Sequence, residues 1–124
     1  MHHDSLTAVL NASKNWIKHF NKGDSDYCTA AYIPDALMEA KPMGEYTGRE
    51  EINNFWRPFI QSGATDLIYT DIWLKQIDET KVHLGANWRM NVGRGVITLE
   101  EWVKTESGPW KLAMDAFEIQ EQFQ

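Results

Sequence analysis

Every even-numbered residue between Lys81 and Val92 is apolar, and every odd-numbered one is polar or glycine. Successive side chains of a β-strand point to opposite sides of a sheet, so this alternation predicts a strand whose sheet is covered on one face only. Three further strand-like segments, separated by short turns, are predicted over residues 66–78, 95–105 and 109–119. The second half of the chain is therefore predicted to form a mostly antiparallel sheet, and the first half must supply the layer that covers it.

The beginning of the chain has the periodicity of helices. Apolar residues recur at intervals of three or four from Leu6 to Phe20, which predicts a helix over residues 4–21. Gly23 follows as a stop, and a second, shorter helix is predicted to end at Pro34.

A strand and a third helix are predicted between these helices and the sheet. Residues 36–40 are predicted to form a short strand, and residues 41–45 a turn. Thr47 and Glu50 have the spacing of a capping box at the start of a helix, and Pro58 is expected to bend or break the last turns of that helix. The predicted order of elements is ααβαββββ.

Composition narrows the range of functions. The 124 residues, 43% of them hydrophobic, are enough for one core, so a single α+β domain over residues 1–124 is predicted. A formal net charge of −6 disfavours nucleic-acid binding, because it repels phosphates. No apolar run approaches the roughly 18 to 20 residues that cross a bilayer, and the start of the chain lacks the pattern of a signal peptide. We therefore expect a cytoplasmic protein that binds neither nucleic acid nor membrane.

No metal or cofactor site is predicted. Cys28 is the only cysteine, which excludes an intrachain disulfide and a zinc site built from cysteines. Neither His19 nor His83 has a second ligand at the spacing that metal sites use. The better candidates for chemistry are carboxyl groups.

Several segments of the chain, taken in order, resemble the NTF2-like superfamily. They are residues 20–24 (FNKGD), 32–36 (YIPDA), 47–52 (TGREEI) with Phe55 and Trp56, and 110–115 (WKLAMD). The chain looks most like the SnoaL-like and ketosteroid-isomerase-like branch. The resemblance implies an NTF2-like cone, in which three N-terminal helices pack inside a strongly curved, mostly antiparallel sheet and leave a cavity between them. It also implies dimers formed through the outer face of the sheet.

The isomerase residues of that branch are only partly present. The position that matches the general base of ketosteroid isomerases is Ala40, and the position of their tyrosine donor is Trp16. Their protonated aspartic acid corresponds to Glu100. Because proton abstraction without a placed base forfeits roughly a hundred- to ten-thousand-fold in rate, the chain is predicted not to isomerise 3-oxo-Δ5-steroids at an enzyme-like rate.

The last strand resembles a different branch, the limonene-type epoxide hydrolases. Residues 115–118 (DAFE) are similar to their Asp-Tyr-Phe-Asp, whereas the positions of their other aspartate and arginine are near Trp88 and Ala86. Asp115 is the first candidate for catalysis, because a carboxyl group on the cavity face has a raised pKa and exchanges protons near neutral pH. The alternative is a structural or exposed carboxylate, since the opposite face of this strand is equally apolar.

A second carboxyl group is a candidate partner for Asp115. Glu100 and Glu101 point to opposite faces of their strand, so at most one of them enters the cavity. If Glu100 is inside, it pairs with Asp115 as an acid/base couple. Otherwise it is an exposed strand glutamate, which is common.

Seven side chains are candidates for an apolar ligand-binding wall. They are Trp16, Tyr32, Met38, Trp56, Trp88, Met90 and Phe117. An apolar pocket with a polar residue at its base is the usual form of a small-molecule site. The alternative is that the aromatic side chains simply fill the cone.

Two functions remain open from the sequence. The first is binding of a small, mostly apolar molecule with acid/base chemistry of the isomerase, lyase or hydrolase type; whether the chain is an enzyme stays open. The alternative is a non-catalytic ligand-binding or oligomerisation module that uses the outer sheet face. A homodimer is expected, because a sheet covered on one side leaves Trp73 or Trp102, and Ile72 or Leu74, with apolar area to bury.

Overall fold

The computed structural model describes residues 2–123, in which helices precede and interrupt the strands. The helices are α1 (His2–Asn21), α2 (Ser25–Ala30) and α3 (Gly48–Gln61). The strands are β1 (Tyr32–Lys41), β2 (Gly44–Thr47), β3 (Ile68–Asp78), β4 (Lys81–Met90), β5 (Gly93–Lys104) and β6 (Trp110–Gln122).

All six strands form one sheet in the order β2-β1-β6-β5-β4-β3. Neighbouring strands run antiparallel except β1 and β6, which are parallel. The helices pack on the concave face of this curved sheet. The predicted α+β fold class, with a helical layer inside a mostly antiparallel sheet, is confirmed.

Helices α1 and α3 bury stripes that meet over the sheet. The buried side chains of α1 are Val9, Ser13, Trp16 and Phe20, and those of α3 are Ile52, Trp56 and Ile60, so both follow the helical repeat. The ring of Trp56 lies 5.2 Å from that of Trp16 and 5.9 Å from that of Phe20. This aromatic contact closes one end of the core.

The alternation in β4 has the predicted burial. Its apolar side chains are buried: Val82, Leu84, Ala86, Trp88 and Met90. Val92 departs from the pattern, since it follows the strand in the turn before β5 and is 37% exposed. The sheet therefore has one covered face, and the alternation ends where the strand ends.

The region before α3 differs from its prediction in two ways. Helix α2 ends at Ala30 rather than at Pro34, and Pro34 instead lies in β1, where the pairing with β6 is interrupted between Tyr32 and Leu37. A strand tolerates proline where no ladder hydrogen bond is needed. The predicted turn over residues 41–45 contains the start of β2, which pairs with β1 as a short hairpin, so the observed order is ααββαββββ.

Helix α3 also begins and ends differently from its prediction. Thr47 is the N-cap residue without a side-chain cap bond, and its backbone N–H donates instead to Glu51 Oε1 at 2.8 Å, so Glu51 takes the place expected of Glu50. Pro58 does not break the helix, which continues to Gln61. A proline this close to the end removes one backbone donor and leaves the following bonds intact, such as Ser62 N–H to Pro58 O at 2.9 Å.

Within residues 2–123, no helix combines the length and the apolar character that a membrane crossing requires.

Candidate active site

A cavity of about 300 Å³ lies between the helices and the concave face of the sheet. Its wall is mostly aromatic and aliphatic: Trp16, Phe55, Trp56, Phe59, Leu67, Trp88, Met90, Ile97, Trp102, Leu112 and Phe117 all line it. Met43 and Val92 also line the cavity and are exposed, which places its opening beside them. Two carboxyl groups, Asp115 and Glu100, interrupt this apolar wall.

Asp115 lies on β6 and is only 4% exposed. Its Oδ2 accepts a hydrogen bond of 2.6 Å from the Tyr32 hydroxyl. The hydroxyl oxygen of Tyr32 in turn accepts a hydrogen bond of 3.0 Å from Trp56 Nε1. Asp115 Oδ1 is buried and has no hydrogen-bond partner among residues 2–123. Buried carboxyl oxygens are nearly always hydrogen-bonded, so Oδ1 is an acceptor left free in a lined cavity.

Glu100 faces Asp115 across the β5–β6 ladder and is 3% exposed. Its Oε2 accepts a bond of 2.7 Å from the Tyr69 hydroxyl, and its Oε1 one of 2.8 Å from Trp102 Nε1. Both oxygens of Glu100 are thus held in place, whereas Asp115 is held by one oxygen only. Tyr69 and Glu100 both line the cavity.

Burial changes the proton affinity of both carboxyl groups. It raises the pKa of Asp115 to about 6, an effect that the Tyr32 bond partly opposes. Burial, followed by the charge of Asp115, raises the pKa of Glu100 to about 8 against the bonds from Tyr69 and Trp102. Interacting carboxyl groups titrate as a pair, so near neutral pH this pair holds one proton and one negative charge.

The two tyrosines beside these carboxyl groups stay protonated. Burial, together with the nearby carboxylates, raises the pKa of Tyr32 and of Tyr69 well above the ordinary range. Both hydroxyls therefore act as neutral hydrogen-bond donors at physiological pH.

Glu101 lies on the opposite face, as the alternation requires. Its Oε1 is 3.1 Å from His83 Nε2 and 3.9 Å from Lys81 Nζ, in a half-buried cluster on the outer side of the sheet. Of the two adjacent glutamates, Glu100 is the one inside.

The seven residues predicted for the ligand wall divide into two groups. Trp16, Trp56, Trp88, Met90 and Phe117 line the cavity. Tyr32 and Met38 are not among the residues that line it. The Tyr32 hydroxyl donates to the Asp115 carboxylate and lies 3.9 Å from Met38 Sδ. Tyr32 and Met38 therefore pack beside Asp115 without lining the cavity themselves.

Both residues that hold Glu100 by hydrogen bonds, Tyr69 and Trp102, were absent from the predicted site. Trp102 was one of the alternatives for the outer face, yet it is 1% exposed and donates to Glu100 inside the cone. Tyr69 was not among the predicted site residues. Its position becomes clear only from the register, which places it opposite Trp88 on the inner face.

Metal binding was not predicted, and within residues 2–123 no three His, Cys, Asp or Glu side chains are grouped as metal ligands. The carboxyl pair, its tyrosines and the apolar wall are the chemically distinctive features of the site.

Comparison with known proteins gave matches in structure alone. No protein-family model matches the chain, and no curated protein matches it in sequence. A structure from Novosphingobium aromaticivorans, of a protein proposed to be a scytalone dehydratase, superposes with a TM-score of 0.84 at 15% identity, over 98% of this chain and 88% of that one. The chain has the NTF2-like fold.

Two further structures support this NTF2-like assignment. A ketosteroid isomerase-like protein from Erwinia carotovora atroseptica has a TM-score of 0.79 at 15% identity, over 94% of this chain and 96% of that one. An NTF2-like protein with a cystatin-like fold from Novosphingobium aromaticivorans has a TM-score of 0.76 at 8% identity, over 95% and 83%. The predicted resemblance to the NTF2-like superfamily is thus confirmed at the level of fold, and function must be argued from the site.

Proposed function

We propose that this chain binds a small, mostly apolar molecule in the cone cavity and transfers protons on it, with Asp115 as the base and Glu100 as the acid. The observation that carries the proposal is Asp115 Oδ1, a buried carboxyl oxygen without a partner in a cavity-lining side chain. A proton acceptor needs a free lone pair at the place where the substrate binds.

The cavity wall supports the binding part of the proposal. A volume of about 300 Å³ and a wall of tryptophan, phenylalanine and aliphatic side chains suit a molecule of one or two rings. Burial of apolar ligand surface is the expected driving force.

The carboxyl pair supports the chemical part. With one proton between them, ionised Asp115 takes a proton from a carbon next to a carbonyl group, and the C–H electron pair moves into the resulting enolate. The enolate oxygen accepts a hydrogen bond from protonated Glu100. Return of the proton to a different carbon completes an isomerisation, whereas departure of a β-hydroxyl with a proton from Glu100 completes a dehydration.

The cost of burying this pair favours chemistry over simple transport. An isolated buried carboxylate is unfavourable by several kcal/mol or shifts its pKa, and a carrier of apolar molecules gains nothing from two of them. Sites that sacrifice stability for activity have this character. The names of the dehydratase and isomerase-like structural neighbours are consistent with proton-transfer chemistry.

Exchange of α-protons tests the proposal without a known substrate. The protein is incubated in D₂O with 2-cyclohexenone, 2-indanone and 2-tetralone, and loss of the α-proton signals is followed by NMR. We expect exchange above the buffer rate with at least one ketone, and a loss of about a hundred- to ten-thousand-fold in Asp115→Asn. Glu101→Gln, on the outer face, is the matched control and should keep the rate of the unaltered protein.

Binding is measured separately by quenching of tryptophan fluorescence, because four tryptophans line the cavity. Binding of these ketones without accelerated exchange would overturn the proton-transfer proposal in favour of a non-catalytic carrier. Equal exchange in Asp115→Asn and in the unaltered protein would overturn the role of Asp115.

A further inference from the structure

The four tryptophans that line the cavity differ in what their indole N–H groups do. Trp16 Nε1 donates to Cys28 O at 3.1 Å, Trp56 Nε1 to Tyr32 Oη at 3.0 Å, and Trp102 Nε1 to Glu100 Oε1 at 2.8 Å. Trp88 Nε1 is buried and has no acceptor within residues 2–123. A buried donor without a partner is rare in a folded protein, so this one requires an explanation.

The fold holds the Trp88 indole in place against β5. Trp88 lies opposite Gly95, and a Cβ atom at Gly95 would come within 2.7 Å of Trp88 Cζ2 and 2.8 Å of Cε2, the ring carbon bonded to Nε1. That Cβ atom would come still closer to the backbone oxygen of Glu118, so glycine at residue 95 leaves room for the neighbouring strand as well as for the indole. The ring carbons next to Nε1 therefore pack closely against β5 at Gly95.

Trp88 and Asp115 lie toward different ends of the cavity. Along β5, the partner of Trp88 is Gly95, close to the cavity opening at Val92, and the partner of Asp115 is Glu100, five positions further on. Trp88, toward the opening, and Asp115, at the carboxyl pair, both line the cavity, and each has one buried polar atom without a partner within residues 2–123: a donor at Trp88 and an acceptor at Asp115.

We infer that Trp88 Nε1 is a specificity contact, and that the ligand carries an acceptor oxygen remote from the group that Asp115 contacts. The class of molecule is an apolar ring system with a carbonyl group at the Asp115 end and an ether, phenol or carbonyl oxygen at the Trp88 end. As a statement about a substrate, this inference rests on the proposed function. As a statement about binding, it rests only on the unpartnered Nε1 of Trp88, a residue that lines the cavity.

Two ligands of nearly equal size test the contact: 6-methoxy-2-tetralone and 6-ethyl-2-tetralone. They differ by one oxygen in place of a methylene group, at the end remote from the carbonyl. Dissociation constants are measured by titration calorimetry, and the ratio of the ethyl to the methoxy value is compared between variants. A general loosening of the cavity weakens both ligands and leaves this ratio unchanged.

In Trp88→Phe we expect the ratio to fall by about five- to tenfold, since a neutral hydrogen bond contributes roughly this much to binding. Trp16→Phe is the matched control. It removes an indole from the same wall, but one whose N–H is already bonded to Cys28 O, so the ratio should stay as it is in the unaltered protein. An unchanged ratio in Trp88→Phe, or an equal fall in both variants, would overturn the inference.

A spectroscopic readout keeps the test decisive if Trp88→Phe does not fold. In the unaltered protein labelled with ¹⁵N, the assigned Trp88 indole N–H signal should move downfield with the methoxy ligand and not with the ethyl ligand. Equal shifts with both ligands would contradict the contact. Neither measurement depends on α-proton exchange. If the ratio of dissociation constants depends on Trp88 but no exchange is seen, only the proposed reaction is overturned. If exchange is seen but the ratio does not depend on Trp88, only this inference is overturned.

Discussion

The neighbouring residues Glu100 and Glu101 have opposite environments on the two faces of one strand. Glu101 lies on the outer face, where its Oε1 is 3.1 Å from His83 Nε2 and 3.9 Å from the charged Lys81 Nζ, and nearby solvent also stabilises its carboxylate. Glu100 lies inside, held by Tyr69 and Trp102 and facing a second carboxyl group across the ladder. The same side chain is thus an ordinary surface ion-pair member at one position and a proton-holding group at the next.

The difference extends to the faces themselves. On the outer face Glu101 has partners in His83 and Lys81. Three buried polar atoms have no partner within residues 2–123: Asp115 Oδ1 and Trp88 Nε1, whose side chains line the cavity, and Gln76 Oε1, whose side chain does not. Unsatisfied buried groups lower stability, and a ligand that pairs with them recovers that loss. We take the inner face as the functional one for this reason.

The largest expected effect is in the pH dependence of proton exchange. Exchange requires ionised Asp115 together with protonated Glu100, so the enzyme-dependent rate should be highest between the two pKa values, about 6 and about 8. Outside that range it should fall by about tenfold per pH unit. Glu101→Gln should leave the profile unchanged, and a rate that does not vary with pH would contradict the acid/base pair.

The next effect is on stability as a function of pH. Both inner carboxyl groups have a folded pKa raised above the unfolded value, so their contribution is fully present at low pH and is lost as pH rises through the folded pKa. From about pH 4 to about pH 8, the free energy of unfolding should therefore fall, because in this range the unfolded chain has released protons that the folded chain still holds.

Denaturant titrations at several pH values measure this fall. Glu100→Gln removes one of the two groups and should flatten it, and Asp115→Asn should be neutral or stabilising near pH 7. Glu101→Gln, one residue away on the other face, should leave the fall in place. If the free energy of unfolding falls equally steeply with pH in Glu100→Gln and in Glu101→Gln, the two faces of the strand do not differ as proposed.

A smaller effect is expected at the hydroxyl group that supports Asp115. Tyr32→Phe removes the donor to Asp115 Oδ2 and leaves Trp56 Nε1 without its acceptor. A buried group left unpaired costs about 1 to 3 kcal/mol, so thermal or denaturant unfolding should show a loss of this size. Tyr27→Phe, at an exposed tyrosine, is the control and should change stability by less than about 0.5 kcal/mol.

The smallest effect on the folded chain is expected on the outer face. Trp73 is 47% exposed and Ile72 is also exposed, whereas the alternatives Trp102 and Leu74 are not, so Trp73 and Ile72 are the residues we expect in a homodimer interface. Trp73→Lys should convert a dimer to a monomer in sedimentation at micromolar concentration. It should leave α-proton exchange intact, and a monomer before substitution would remove the proposed dimer.

Alternation alone predicted which side of β4 is covered, because the even-numbered side chains of that strand face inward along its whole length. In β3, Tyr69 and Leu74 face inward although one is odd-numbered and the other even. The register shifts between Thr70 and Trp73, where Asp71 has a φ of 52°. An irregularity of this kind changes whether the odd-numbered or the even-numbered side chains of a strand face inward, and no local sequence pattern predicted it.

The carboxyl pair shows the same limit. Leu112 and Asp115 both line the cavity despite an odd separation, because the β5–β6 register shifts between Glu101 and Trp102. The candidate residues Asp115 and Glu100 were accessible from the family resemblance and residue type. Their pairing, and the roles of Tyr69 and Trp102, depend on these register shifts and required the structure.

The central claim is that the inner carboxyl groups share a proton near neutral pH, and NMR titration of their side-chain carbons tests it most directly. With ¹³C-labelled protein, we expect Asp115 and Glu100 to titrate together, in two steps whose apparent pKa values both lie above the ordinary carboxyl range. Asp115→Asn should leave a single step at Glu100, at a lower pKa than in the unaltered protein, because the neighbouring charge is gone. If both carboxyl groups titrate at or below about 4, as solvated ones do, the pair is structural and the account is wrong.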